Sequence, residues 1–258
     1  MKTLKSVTVL SAILLAACAS VGTTRQQSSL MGYLYPDGQP QPQSADVATV
    51  KLPLRLGIML APTVDTTRSG YILTPRVNQP LSTGDQVTYL DQIATQFRAN
   101  PEFKDVEVIP STYVQEGGGF KNMETLASMY SLDAIAIVSY DQLQTTDEGK
   151  ASFLYWTVIG AYVVDTEKNA STTFVDTAMF DVKSHKLLFH ASGTSKSAST
   201  GTLANNSEEL RGASHQGFID AFAAMATDIG DNLKTFKDKL AANDQFKVVD
   251  SASAPVPK

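Results

Sequence analysis

Few side chains in this 258-residue chain are of the types that carry chemistry, and they are spread thinly. There is one cysteine, Cys18, and there are three histidines, His185, His190 and His215. A zinc site takes three or four Cys, His or carboxylate ligands, often in paired spacings such as H-E-x-x-H, and the histidines show no such spacing. A lone cysteine also rules out an intramolecular disulfide, even in an oxidising compartment. Gly117-Gly118-Gly119 precedes a helical pattern, where a phosphate-cradling loop would sit. Neither GxGxxG nor GxxxxGK[ST] is present there, so the triplet reads as a connector. Serines are abundant, but none stands in a G-x-S-x-G elbow. The expectation is therefore of no catalytic residue, no metal and no cofactor. An active site assembled from distant residues stays open as the alternative.

The one cysteine sits in the most informative stretch of the chain. Met1-Lys2-Thr3-Leu4-Lys5 is short and basic, Val7 to Leu15 is apolar, and Ala16-Ala17 are small. That is the anatomy of a cleaved secretory signal. The apolar run is too short for a transmembrane helix, which needs ~20 residues. Leu15-Ala16-Ala17-Cys18 resembles the lipobox of bacterial lipoproteins. The resemblance implies cleavage after Ala17 and acylation of Cys18 by fatty acids such as palmitate. Each buried methylene contributes ~0.8 kcal/mol, so several chains together hold a protein firmly. Residue 19 is Ala, not the Asp that retains lipoproteins of the enterobacterial kind in the inner membrane, so the resemblance points to the outer membrane.

Removing residues 1–17 takes Lys2 and Lys5 from the 21 basic residues against 26 acidic ones, leaving a net charge of about −7. An acidic chain is a poor partner for nucleic acid or an anionic lipid surface. The 43% hydrophobic and 8% aromatic content is that of an ordinary globular domain with its own core. No later stretch is long and apolar enough to span a bilayer. The best candidate, Phe153 to Val164, is short and contains Gly160.

The elements that would position any site follow from periodicity. Residues 18–50 read as a lipidated flexible tether, polar and rich in Ser, Gln, Gly and Pro. An apolar island, Leu30 to Pro36, either packs back on the domain or forms a short docking motif. The folded domain is expected over 51–242, with a disordered tail over 243–258. Leu54 to Ala61 alternates and reads as a strand. Pro62 to Leu81 reads as a long loop carrying Arg68, Tyr71 and Arg76; it is either a partner-binding surface or a structural strap. A helix follows from Ser82 or Thr83, where Thr83 to Gln86 has capping-box spacing. Val87, Leu90, Ile93, Ala94 and Phe97 make its apolar face. Val106 to Ile109 reads as a strand, and Met123, Leu126, Ala127 and Tyr130 as the stripe of a second helix. Asp133 to Tyr140 reads as a strand buried on both faces. Phe153 to Val164, Thr172 to Val182 and Lys186 to Ser192 read as an antiparallel meander, with Lys183-Ser184-His185 as a tight turn. Ser195 to Asn205 reads as a loop. A long last helix carries Phe218, Phe222, Met225, Ile229, Leu233, Phe236 and Leu240 at steps of three and four. That stripe either packs across a sheet or pairs two copies as a coiled coil. The fold class expected is a mixed α/β (α+β) domain: β-α-β-α-β, three antiparallel strands, then the long helix.

The segment Thr177 to His190, an apolar strand ending in Asp181 and returning after Lys183-Ser184-His185, resembles a recurrent lipoprotein hairpin. With Leu132 to Ile137 before it, the pattern is similar to penicillin-binding-protein activators and curli-assembly lipoproteins. The lipobox, the Leu34-Tyr35-Pro36 island and the element order resemble the rhombotail lipoprotein family. This chain ends Ser253-Ala254-Pro255-Val256-Pro257-Lys258 and lacks the glycine-glycine tail of that family. That family carries no activity over to these residues; the expectation for the whole chain is an outer-membrane-anchored, non-enzymatic binding or accessory protein of the cell envelope, its domain facing the periplasm. Its partners would be the membrane, through the lipid, and an envelope protein. The alternatives are a lipid-anchored periplasmic enzyme and a structural oligomer assembled through the last helix.

Overall fold

A computed structural model of the chain describes residues 21–38, 48–64, 81–148, 167–201, 206–242 and 246–250. Ala17 and Cys18, the loop residues Arg68, Tyr71 and Arg76, and the run Phe153 to Val164 lie outside the described residues. In chain order the elements are β1 (Val21–Ser28), α1 (Leu30–Leu34), β2 (Ala48–Leu52), β3 (Leu54–Leu60), β4 (Thr63–Val64), α2 (Thr83–Arg98) and β5 (Phe103–Val108). After a 3-10 turn at Ser111–Tyr113 come α3 (Gly119–Tyr130), β6 (Ala134–Glu148), β7 (Glu167–Asp181), β8 (Leu187–Gly201), α4 (Asn206–Ala242) and β9 (Phe246–Asp250).

Strand β6 organises the main sheet. Its first half is the continuous apolar run Ala134 to Val138, every residue of which is buried. On one side β6 pairs along its whole length with β7, which pairs in turn with β8, all antiparallel. On the other side two strands share it end to end. Parallel β3 covers Ala134–Val138, and antiparallel β1 covers Asp141–Asp147. Parallel β5 extends the sheet beyond β3, and β4 pairs with the end of β1. A separate two-stranded sheet joins β2 to β9 in parallel. The mixed α/β (α+β) class expected from the sequence is the one observed.

Residues on the two faces of β6 meet different helices, as the period of two requires. Ala134, Ala136, Val138 and Tyr140 face α2 and α4, and Ile135 and Ile137 face α1 and α3. The seven residues of the α4 stripe are each 6% exposed or less. They are spent on the sheet, so the coiled-coil reading has no apolar seam left to use. Rings lock this layer: Tyr89 stacks on Phe222 at 4.6 Å, and Tyr140 meets Phe218 edge-on at 5.1 Å. Helix α4 has 37 residues and is ~55 Å long at 1.5 Å each. The 15 residues of β8 reach ~50 Å, so the returning helix covers the whole strand.

Several expectations shift. Val21–Ser28 is not tether but a sheet strand, and α1 packs Tyr33 and Leu34 into the core, so the folded domain begins well before residue 51. Residues 246–250 likewise pair with β2 instead of forming a tail. The strand expected from Thr172 already begins at Glu167, and β8 runs on to Gly201 through the loop expected over Ser195 to Asn205. The physical reason is a polar buried layer under the first half of α4. There Gln142 Nε2 donates to Thr173 Oγ1 (2.8 Å) and to the Ser214 carbonyl (3.0 Å). Ser214 Oγ donates to Gln142 Oε1 at 2.5 Å, and Ser195 Oγ to the Gly217 carbonyl at 2.6 Å. Several buried polar groups of these strands bond to one another or to α4, so no apolar alternation marks them. At α2 the N-cap is Ser82, whose Oγ accepts from the Asp85 N–H, while Gln86 reaches back to the Leu81 carbonyl. Val87 is 51% exposed, and Tyr89 takes its expected place in the core.

Candidate functional site: the two ends of the central strand

The two ends of β6 carry different chemistry. At its last residues, Val21 of β1 is opposite Asp147, Glu148 is opposite Glu167, and Glu167 is opposite Gly201. Cys18 lies three residues before Val21. Polar β1 is held there by its backbone ladder and by Arg25, which forms an ion pair with Asp141 across the strands.

At the opposite end, where β3 and β6 begin, an open cleft of about 900 Å³ is lined by Lys51, Arg55, Lys104, Asp133 and Lys183, among others. Arg55 and Asp133 form its fixed floor. Arg55 Nε lies 3.1 Å from Asp133 Oδ2, and Nη2 lies 3.3 Å from Oδ1. The backbone completes the clamp: the Arg55 N–H donates to Asp133 Oδ2, and the Asp133 N–H donates to the Arg55 carbonyl. The hydrogen bond and charge of Asp133 raise the Arg55 pKa further, so it stays cationic. Among the described residues Lys51, Lys104 and Lys183 form no ion pair, and Glu124 on the rim is engaged by His185 at 2.8 Å. In an acidic protein this cleft is locally positive. Its chemistry is suited to holding an anionic group by charge.

The histidines fall at three separate places. His185, in the left-handed region at φ 58°, stacks on Phe120 at 4.2 Å. His190 Nε2 is 2.5 Å from Asp176 Oδ1. Burial raises the Asp176 pKa, against the opposing pull of His190. His215 lies 3.8 Å from Asp85. No group of three metal-ligating residues occurs among the described residues. The glycine triplet is a packed turn and not a loose connector. Gly117 and Gly119 have φ of 62° and 59°, and a Cβ on Gly119 would stand 3.3 Å from the Leu34 carbonyl oxygen. No helix among the described residues is long and apolar enough to cross a membrane.

Of the sequence-predicted site residues, Ala17, Cys18, Arg68, Tyr71 and Arg76 are outside the described residues. The loop bearing Arg68, Tyr71 and Arg76 leaves from β4, beside the end of β1. The basic cleft was not foreseen. Its residues come from four separate segments with no shared motif, so nothing local could have marked it.

No family model and no curated protein matches this chain. Among solved structures, the PelC dodecamer of Paraburkholderia phytofirmans overlaps with a TM-score of 0.29 at 12% identity, covering 83% of this chain and 96% of that one. Protein XCC0632 of Xanthomonas campestris gives 0.30 at 9%, covering 76% and 93%. The lipoprotein GNA1162 of Neisseria meningitidis gives 0.22 at 13%, covering 68% and 100%. Overlap this low assigns neither a family nor a function to the chain, and the rhombotail resemblance of its sequence has no counterpart here.

Proposed function

We propose that the protein is an outer-membrane lipoprotein of the bacterial cell envelope, held by acyl chains on Cys18, and that its periplasm-facing domain binds a partner without catalysing a reaction. The observation that carries the reading is the lipobox Leu15-Ala16-Ala17-Cys18 behind a complete signal sequence, followed at once by a strand built into the sheet. The pattern shared with rhombotail lipoproteins supports the anchoring and adds no activity. The basic cleft supports binding because it offers charge and a fixed arginine but no activated nucleophile. Density-gradient fractionation of cell envelopes tests the location. The protein is expected with outer-membrane markers, and Ala19→Asp should move it to the inner membrane in an enterobacterial host. Recovery of wild type from the soluble periplasm would sink the reading.

Within that reading the loop of Arg68, Tyr71 and Arg76 forms part of the partner surface. Tyr and Arg dominate binding hot spots, and the three prolines between Pro62 and Pro80 limit the order lost on binding. A photocrosslinker at position 71 is expected to trap an envelope protein in cells. If Arg68→Ala with Arg76→Ala leaves every such adduct in place, the loop is a structural strap.

A further inference from the structure

The charge of the cleft at the start of β3 and β6 selects its ligand. Four lining side chains are cations, Lys51, Arg55, Lys104 and Lys183, and two are acids, Asp133 and Glu124, so the wall carries a net charge of +2. The whole chain carries −5, so this sign is set locally. Both acids are already engaged, Asp133 by Arg55 and Glu124 by His185. Asp105, opposite Arg55 on β5, pulls on it more weakly and is not part of the wall. The three lysines are exposed, and among the described residues their ammonium groups bond to nothing. Arg55 differs from them in being held. Asp133 takes its Nε proton and one from Nη2, and a guanidinium has five donors, so the two on Nη1 and the second on Nη2 are left for a ligand. The end of α3 also reaches the cleft, and a helix C-terminus disfavours anions. Here its last carbonyls are covered: those of Ala127 and Ser128 accept from the Ser131 N–H, and that of Ala127 also from the Leu132 N–H at 2.8 Å. Ser128 and Ser131 add hydroxyls to the wall that have no partner among the described residues.

We propose that this cleft binds a soluble phosphate monoester, its phosphate among Arg55 and the lysines and its uncharged body against Pro53 and Val182. The proposal rests on the non-enzymatic binding reading and supplies the class of ligand. A carboxylate carries a single charge, and the Nε–Nη2 side of Arg55 that grips one in a fork is already occupied by Asp133. A phosphate monoester carries about −1.5 to −2 and offers three strong acceptor oxygens, which suits a held arginine ringed by separate lysines. The volume, about 900 Å³, lies in the range of small-molecule sites, so a sugar-sized body fits beside the phosphate. The source is soluble because an anionic lipid surface meets the charge of the whole acidic chain, whereas a small dianion meets mainly that of the wall.

The test titrates glucose 6-phosphate into the full-length protein in a neutral detergent, followed by calorimetry and by the phosphorus NMR signal of the ligand. Saturable binding is expected, with glucose and the sugar monoanion glucuronate each held about tenfold more weakly or worse. Lys104→Ala with Lys183→Ala changes two exposed side chains and leaves the core alone. It is expected to weaken glucose 6-phosphate about tenfold or more at an unchanged melting temperature. Lys121→Ala with Lys196→Ala removes the same charge outside the cleft and should leave the affinity within about twofold, since salt screens distant charges. No saturable binding, glucuronate bound as tightly, or an equal loss in both double variants overturns the proposal. Lysine-dependent binding to phosphatidic acid vesicles without binding of glucose 6-phosphate overturns the soluble source. Inorganic phosphate released by wild type and not by the cleft variant upholds the ligand class and refutes instead the non-enzymatic reading.

Discussion

Truncating Phe222 to alanine is expected to cost ~3–5 kcal/mol of folding stability. Phe222 is 1% exposed in the middle of the α4 stripe and stacks on Tyr89 of α2. It is therefore shared by three elements: its own helix, α2 and the sheet beneath. Removing the ring empties a site whose walls are the sheet and two helices that cannot collapse into it. The loss combines transfer free energy with the cavity left behind and the aromatic contact, itself worth ~0.5–1.5 kcal/mol. Chemical denaturation of the domain from residue 19 onward checks it. A loss below ~1 kcal/mol would mean that the helix packs on the sheet through other residues.

Gly193→Ala is expected to destabilise by about 3 kcal/mol, at the upper end for overpacking. Gly193 lies on β8 where α4 crosses closest. A Cβ there would fall 2.2 Å from the Ala221 carbonyl oxygen and 2.4 Å from the Met225 nitrogen. Both are backbone atoms in the interior of a helix, so no side chain can turn aside and the whole of α4 must lift. The same helix supplies the control. At Gly212 and Gly230 an added Cβ meets nothing within 4 Å. Alanine at either should instead stabilise by ~0.5–1 kcal/mol, through better helix propensity and a less free unfolded chain. Thermal melts of the three variants separate close packing from propensity. A neutral Gly193→Ala would show that α4 stands off the sheet.

Where the fold rests on apolar periodicity, the sequence shows it plainly. The run at 134–138, the α4 stripe and the Lys183-Ser184-His185 turn each follow from the spacing of side chains that must leave water. The polar parts of the sheet do not announce themselves. β1 reads Val-Gly-Thr-Thr-Arg-Gln-Gln-Ser, and it is a strand because the far half of β6 offers it an unpaired edge. The ends of β7 and β8 are strands because Gln142, Thr173, Ser195 and Ser214 bond to one another or to the α4 backbone, a long-range circumstance that no local window contains. The candidate sites divide in the same way. Cys18 is legible because the machinery that modifies it reads contiguous residues. The cleft of Lys51, Arg55, Lys104 and Lys183 exists only after β2, β3, β5 and the β7–β8 turn have come together.

Mass spectrometry of the amino terminus of the wild-type protein taken from membranes is the most direct check. The account predicts a chain that begins at Cys18 and carries acyl chains on its thiol and amine. An unmodified Cys18, or an amino terminus at any other residue, would contradict it.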